Sequence, residues 1–353
     1  MGITKIEREN YTVEFETPTV YIDNKSRKRS GHMTHAMAEF APNCFIDFNS
    51  NCSAVRLGGH FPYGWVEYKI SKDGGKTYSE FYDLEYSKQC FLDGIHTISV
   101  EKAVALDNGR IVAFCLRNSA LEQGFCEPWD TPTVITSDDG GETWSEPREI
   151  CEYQGRPYDA RYYKGSIYLM HFCNKHFLGT EEEHKYRIFK SDDNGETFYE
   201  LCVIPFDTKG RGYGSILFDE KGVLHAYAYN SNAETEMDHA VSYDCGETWE
   251  LLKPCFVAKK IRNPQTALID GVYVLHGRAG HTGGFVLYTS EDATNWDEGA
   301  FIDDFVICST YYSNNLNLRD EEGNFLLIQY SALYDGLGYA AVNVMHTKLR
   351  IKK

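Results

Sequence analysis

Residues whose chemistry could serve a ligand recur at matching places along this chain. Arg156, Arg211 and Arg262 each open a short apolar run, and Arg278 closes one. A guanidinium is costly to bury without a partner. Several brought together make a forked receptor for a carboxylate, sulfate or phosphate. Tyr213, Tyr311 and Tyr312 stand at the same kind of run start, and a phenol can act as nucleophile or exchange a proton. Glu101, Lys102 and Asn314 also precede or open runs, while Arg117, Asn230 and His276 close or follow them. His60, after Gly58-Gly59, is a further candidate for substrate contact. Carboxyl groups that could donate a proton are Asp159, Glu127 in Cys126-Glu-Pro-Trp-Asp130, and Glu236, with Glu234 and Asp238 beside it. A general acid needs a pKa raised by burial or by like charge. Each residue alone is also an ordinary strand-end or loop residue. Their shared placement is what points to a site.

A repeat in the chain brings such run ends together. One turn recurs as Ser71-Lys-Asp-Gly-Gly-Lys-Thr-Tyr78, Ser137-Asp-Asp-Gly-Gly-Glu-Thr-Trp144, Ser191-Asp-Asp-Asn-Gly-Glu-Thr-Phe198 and Ser242-Tyr-Asp-Cys-Gly-Glu-Thr-Trp249. A shortened copy follows, Ser290-Glu-Asp-Ala-Thr-Asn-Trp296, and the starts are 66, 54, 51 and 48 residues apart. In each turn the Asp can accept from backbone N–H groups, the Gly permits a positive φ, and the aromatic drops into an apolar layer. Between the turns lie β-hairpins with Gly-bearing loops, as in Lys102–Phe114, Ala160–Met170, Gly214–Tyr227, Gln265–Gly277 and Asn315–Gln329. This alternation predicts an all-β chain, a single six-bladed β-propeller over residues 1–353. Strand Tyr11–Phe15 is expected to join the C-terminal strand Tyr339–Lys348 and close the ring. Strand direction then puts the repeated turns on one face and the run-end residues on the other. No strong helical periodicity is present, and residues 181–186 are expected to form at most one short turn.

The S-x-D-x-G-x-T-W pattern resembles the Asp-box of sialidases and their propeller relatives. The resemblance covers residues from about 70 to 296 as repeats, and the strand rhythm carries it to the C-terminus. It implies a tyrosine nucleophile in the last blade, an assisting Glu, three Arg on the substrate carboxylate and an Asp acid/base. Tyr312-Ser313, before the final hairpin, resembles the tyrosine-bearing start of the last blade, with Tyr311 as the alternative. Arg262 stands where one of the three Arg would stand. The chain departs elsewhere. Gly212-Tyr213-Gly214 occupies the place of the Glu, and Tyr229-Asn230 that of another Arg. Arg56 is the nearest early Arg, and the Asp has no match.

The net charge is −17, from 35 basic and 52 acidic residues. That argues against nucleic acid or an anionic membrane as partner, though a few converging Arg can reverse the field locally. No run approaches the roughly 18 apolar residues that span a bilayer, and the first residues lack a signal-peptide core. Eleven Cys, an odd number without CxxC spacing, argue against a disulfide framework or a zinc site. Free thiols point to a reducing cytoplasm. HExxH, GxSxG and phosphate-loop motifs are absent, and no metal or cofactor is expected. The resemblance and the arginines together predict a glycoside hydrolase acting on an acidic sugar at a glycan's non-reducing end. Two alternatives stay open: a polysaccharide lyase acting on uronates with a Tyr or His base, and a non-catalytic glycan-binding propeller.

Overall fold

The computed structural model describes residues 2–120, 129–173, 184–334 and 340–353. Six antiparallel sheets form the blades. Blade one runs outward as Met37–Ala41, Cys44–Ser53, Gly64–Ser71 and Tyr82–Asp83, with Arg29–Ser30 also pairing on Cys44–Ser53. Blade two is His96–Ala105, Ile111–Ser119, Thr133–Ser137 and Arg148–Glu149. Blade three is Arg156–Tyr163, Ser166–Cys173, Lys185–Ser191 and Tyr199–Ile204. Blade four is Arg211–Phe218, Leu224–Asn230, Glu236–Ser242 and the pair Glu250–Leu251 and Cys255–Phe256. Blade five is Arg262–Ile269, Val272–Arg278, Gly283–Ser290 and Ala300–Ile307. Blade six is Ser313–Asp320, Gly323–Leu333 and Val342–Lys352, completed by Thr12–Glu16. Phe15 faces Leu349 and Thr12 faces Lys352, so the two termini close the ring as expected. Several features go beyond the sequence reading, among them a strand, Thr19–Ile22, that also pairs on Val342–Lys352. A further strand, Ile3–Glu7, extends blade six, and a helix, Glu85–Leu92, follows blade one. Within residues 181–186, Lys185 and Tyr186 begin a strand instead of a helical turn, and 181–183 lie outside the described residues.

The repeated turns work as their residue types predict. Ser137 Oγ donates to Asp139 Oδ1 at 2.8 Å and accepts from the Gly141 N–H at 2.9 Å. Asp139 then accepts from the Thr143 N–H at 2.9 Å and from Thr143 Oγ1 at 2.6 Å. Gly141 sits at φ 95, where a side chain would be strained. The closing aromatic of each box packs on the blade before it. Trp144 meets Phe48 of blade one, and Phe198 meets Phe114 of blade two. Trp249 donates to Cys202 Sγ of blade three, and Trp296 lies against Tyr227 of blade four. Tyr78 of blade one reaches His346 of blade six. Blade six has no box. Its seam with blade five holds Tyr11 from the N-terminal segment, whose hydroxyl donates to Thr289 Oγ1 at 2.9 Å.

The inner strands are tied together at the axis by a charged knot. Asp159, fully buried, pairs with Lys102 Nζ at 3.1 Å and Arg161 Nη1 at 2.7 Å. It also accepts from Ser215 Oγ and the Ile216 N–H at 2.7 and 2.9 Å. Lys102 goes on to Gln265 Oε1 and Asn314 Oδ1. Burial lowers the Lys102 pKa to about 8 even beside Asp159.

Asp139→Ala removes several hydrogen bonds of one box. We expect a loss on the order of 1–2 kcal/mol in denaturant unfolding, with ligand binding unchanged. Thr143 holds the Asp139 pKa at about 2, below its ordinary 3.8. The stabilisation is therefore full above about pH 4 and lost as pH falls toward about 2. The gap between wild type and variant should close over that range.

Candidate functional site

The face opposite the boxes gathers the starts of the inner strands and the ends of the second ones. The two adjacent tyrosines settle first. Tyr311 has φ 65, uncommon for a residue with a side chain, and this sends the two rings to opposite sides. Tyr311 is 1% exposed, stacks on Phe285 between blades five and six, and donates to the Phe305 carbonyl at 2.9 Å. It is a core residue, which removes it from the site. Tyr312 turns inward, and its hydroxyl lies 2.9 Å from that of Tyr213. The Tyr312 ring also meets His32 edge-on at 4.9 Å.

Arginines surround this phenol pair. Arg156 is buried and donates from Nε to Glu101 Oε2 at 2.6 Å. Glu101 is set by a register shift where Ile111–Ser119 pairs with His96–Ala105, a device that re-aims a side chain. So anchored, the Arg156 guanidinium lies over the rings of Tyr158, Tyr213 and Tyr312 at 5.1, 5.2 and 5.6 Å. Arg262 and Arg278 face each other across neighbouring strands of blade five. Arg262 donates to His281 Nδ1 at 2.9 Å and to Tyr229 Oη at 3.4 Å. Tyr229 in turn donates to Glu234. Arg278 bonds the Gly280 and Thr310 carbonyls at 3.0 and 3.1 Å. Among the described residues no carboxylate forms an ion pair with Arg278. Burial, then the Arg262 charge, lowers its pKa. Two neighbouring like charges of this kind gain from an anion. His60 lies in the same field. Burial, then Arg278 and Arg262, lowers its pKa to about 4.

Other residues expected at the site have structural partners. Arg211 is clamped by Asp238 at 2.7 and 3.2 Å, which ties the first strand of blade four to the third. Arg117 is held by the Thr131 carbonyl and by Glu149. Asp159 belongs to the axial knot, which holds its pKa below the ordinary value despite burial and unfits it as a general acid. Asn314 accepts from Lys102 in that knot. His276 is fully buried between Ser313 Oγ and Asn315 Nδ2, with burial lowering its pKa to about 3. Asn230 caps its own turn by accepting from the Asn232 and Ala233 N–H groups. Glu236 is an exposed strand start. Glu127 lies outside the described residues. No group of three or more His, Cys, Asp or Glu among the described residues could hold a metal.

The structure adds residues that the sequence reading did not count as site candidates: His32, Tyr158, Tyr229 and His281. Ser30-Gly-His-Met-Thr-His35 precedes the inner strand of blade one. The rule that found Arg156 and Arg262 would have found His32, had that strand been recognised.

The comparisons agree with the fold. The family model for the BNR/Asp-box repeat matches residues 135–146, the second box. No curated protein sequence matches the chain. A protein of unknown function from Dyadobacter fermentans superposes with a TM-score of 0.71 at 15% identity, covering 96% of this chain and 99% of its own. The Hadza microbial sialidase Hz136 gives 0.64 at 14%, over 95% and 68% of the two chains. Trypanosoma rangeli sialidase, solved as a covalent intermediate with 2,3-difluorosialic acid, gives 0.62 at 12%, over 99% and 58%. The chain is a sialidase-like six-bladed propeller with Asp-box turns.

Arg156→Met would leave Glu101 buried and uncompensated. We expect about 3–5 kcal/mol of destabilisation in denaturant unfolding. The double variant Arg156→Met with Glu101→Gln should recover part of it, because the two residues act as a pair.

Proposed function

We propose that this propeller is a glycoside hydrolase for an acidic sugar, with Tyr312 as the reacting group. The observation that carries the reading is the Tyr312 hydroxyl, held against Tyr213 beneath Arg156 and beside the Arg262–Arg278 pair. Arg278 and Arg262 would take the sugar's anionic group. Arg156, fixed by Glu101, would favour negative charge on the phenol oxygen. A phenol approaching a centre beside a carboxylate meets less repulsion than a second carboxylate would. The similarity to sialidases supports a carbohydrate ligand, and the arginines support an anionic one.

One feature favours a second reading. The described hydroxyl partner of Tyr312 is another phenol. Two phenols beside guanidiniums also suit β-elimination from a uronate, one taking the proton and the other giving one to the leaving oxygen. A panel of sialosides and uronate oligosaccharides, read by mass spectrometry, separates the readings. Hydrolysis adds the mass of one water, elimination adds none and creates an ultraviolet-absorbing double bond, and a pure binding protein leaves the glycan intact. The nine described cysteines are free, which supports a reducing compartment as the place of action. Among the described residues no helix is long and apolar enough to cross a membrane.

Tyr312→Phe keeps the ring and removes the hydroxyl. Turnover should fall by about two orders of magnitude or more, with the melting temperature nearly unchanged. Tyr311→Phe should do the reverse: about 1 kcal/mol of stability lost with the Phe305 bond, and turnover kept. Normal turnover in Tyr312→Phe would remove the phenol from the mechanism.

A further inference from the structure

The segment before blade one carries a group that the chemistry above leaves unused. His32 is 1% exposed, and neither ring nitrogen has a hydrogen-bond partner among the described residues. A buried polar atom left unpaired is destabilising. Two on one ring mark a place that a ligand completes. The ring meets Tyr312 at 4.9 Å and leans on His60 at 4.7 Å between centroids.

Its titratable and charged neighbours come from every side. Arg278 approaches from blade five, Arg156 from blade three, His60 from the loop after Cys44–Ser53, and Tyr312 from the start of blade six. His35, from its own segment, donates from Nε2 to the His32 carbonyl at 3.1 Å. Burial first, then His60, His35, Arg278 and Arg156, push the His32 pKa well below its ordinary value. The empty site therefore holds a neutral imidazole.

We propose that His32 is the third arm of the anion site: when the carboxylate of an acidic sugar settles against Arg278 and Arg262, His32 takes a proton from solvent and closes on it as an imidazolium. This rests on the acidic-sugar reading above. An arriving anion cancels the guanidinium field and supplies opposite charge, and both favour the protonated ring. A neutral sugar does neither. The free site has its imidazole pKa below the ordinary 6.5, and the occupied site has it higher. Proton uptake is confined to the window between the two values. Affinity strengthens as pH falls through that window, by at most about tenfold per pH unit.

The test is titration calorimetry at about pH 6, near the ordinary imidazole range, in two buffers of different ionisation enthalpy. The ligands are N-acetylneuraminic acid, D-galacturonic acid and neutral D-galactose. For wild type, the heat for a sugar acid should differ between buffers by the equivalent of up to one proton per ligand. His32→Gln should bind more weakly with no such difference. If that variant fails to fold, His60→Gln decides: uptake that survives there supports His32, and uptake lost there overturns the assignment. Binding of a sugar acid without buffer or pH dependence overturns the His32 assignment and leaves the acidic-sugar reading intact. Uptake that survives in His32→Gln and vanishes in His60→Gln also overturns it. Binding of neither acid overturns the acidic-sugar reading itself, and the assignment with it.

Discussion

One buried carboxylate sets the geometry of this molecule. Asp159 of blade three binds Lys102 of blade two and Ser215 of blade four, and its partner Arg161 bonds the Thr266 carbonyl of blade five. Lys102 carries the network to Asn314 of blade six. These residues belong to, or stand a few positions from, the strand starts that present Arg156, Tyr213, Arg262 and Tyr312. The knot thus fixes the inner strands against one another, and the face that carries those residues inherits that rigidity. A buried charge is tolerated when its partners are complete, and here several blades are needed to complete one.

The face opposite the boxes reverses the character of the whole. The protein carries a net charge of −17, yet its central recess concentrates Arg156, Arg262 and Arg278 with neutral histidines and phenols. Low dielectric around those guanidiniums strengthens their pull on an anion. On the proposed reading, selectivity for an anionic sugar would reside in position as well as in charge.

The fold was legible because its signals are local. A box is a contiguous turn whose Ser, Asp, Gly and Thr satisfy one another, and a hairpin carries its own Gly turn. The site was legible only as a set of places. Rules for strand ends found Arg156, Arg262, Arg278, Tyr213 and Tyr312. The same rules admitted Arg211, His276 and Asp159, because sequence does not show which way a side chain turns. The Tyr311 and Tyr312 pair shows the limit: one backbone angle sends one ring to the core and the other to the axis. His32 was missed because the inner strand of blade one, Met37–Ala41, is short and lacks the Gly-turn signature of the later hairpins.

The box aromatics give the ring a direction. Each blade lends its aromatic backward, to the blade already made. During synthesis from the N-terminus, a blade therefore waits for the next box, some fifty residues later, before its outer seam is filled. Two aromatics depart from this order. Tyr78 of blade one meets His346 of blade six, and Tyr11, beside the strand that completes blade six, meets Thr289 of blade five. Both contacts join early residues of this sequence to late ones, and between them they clasp the circle.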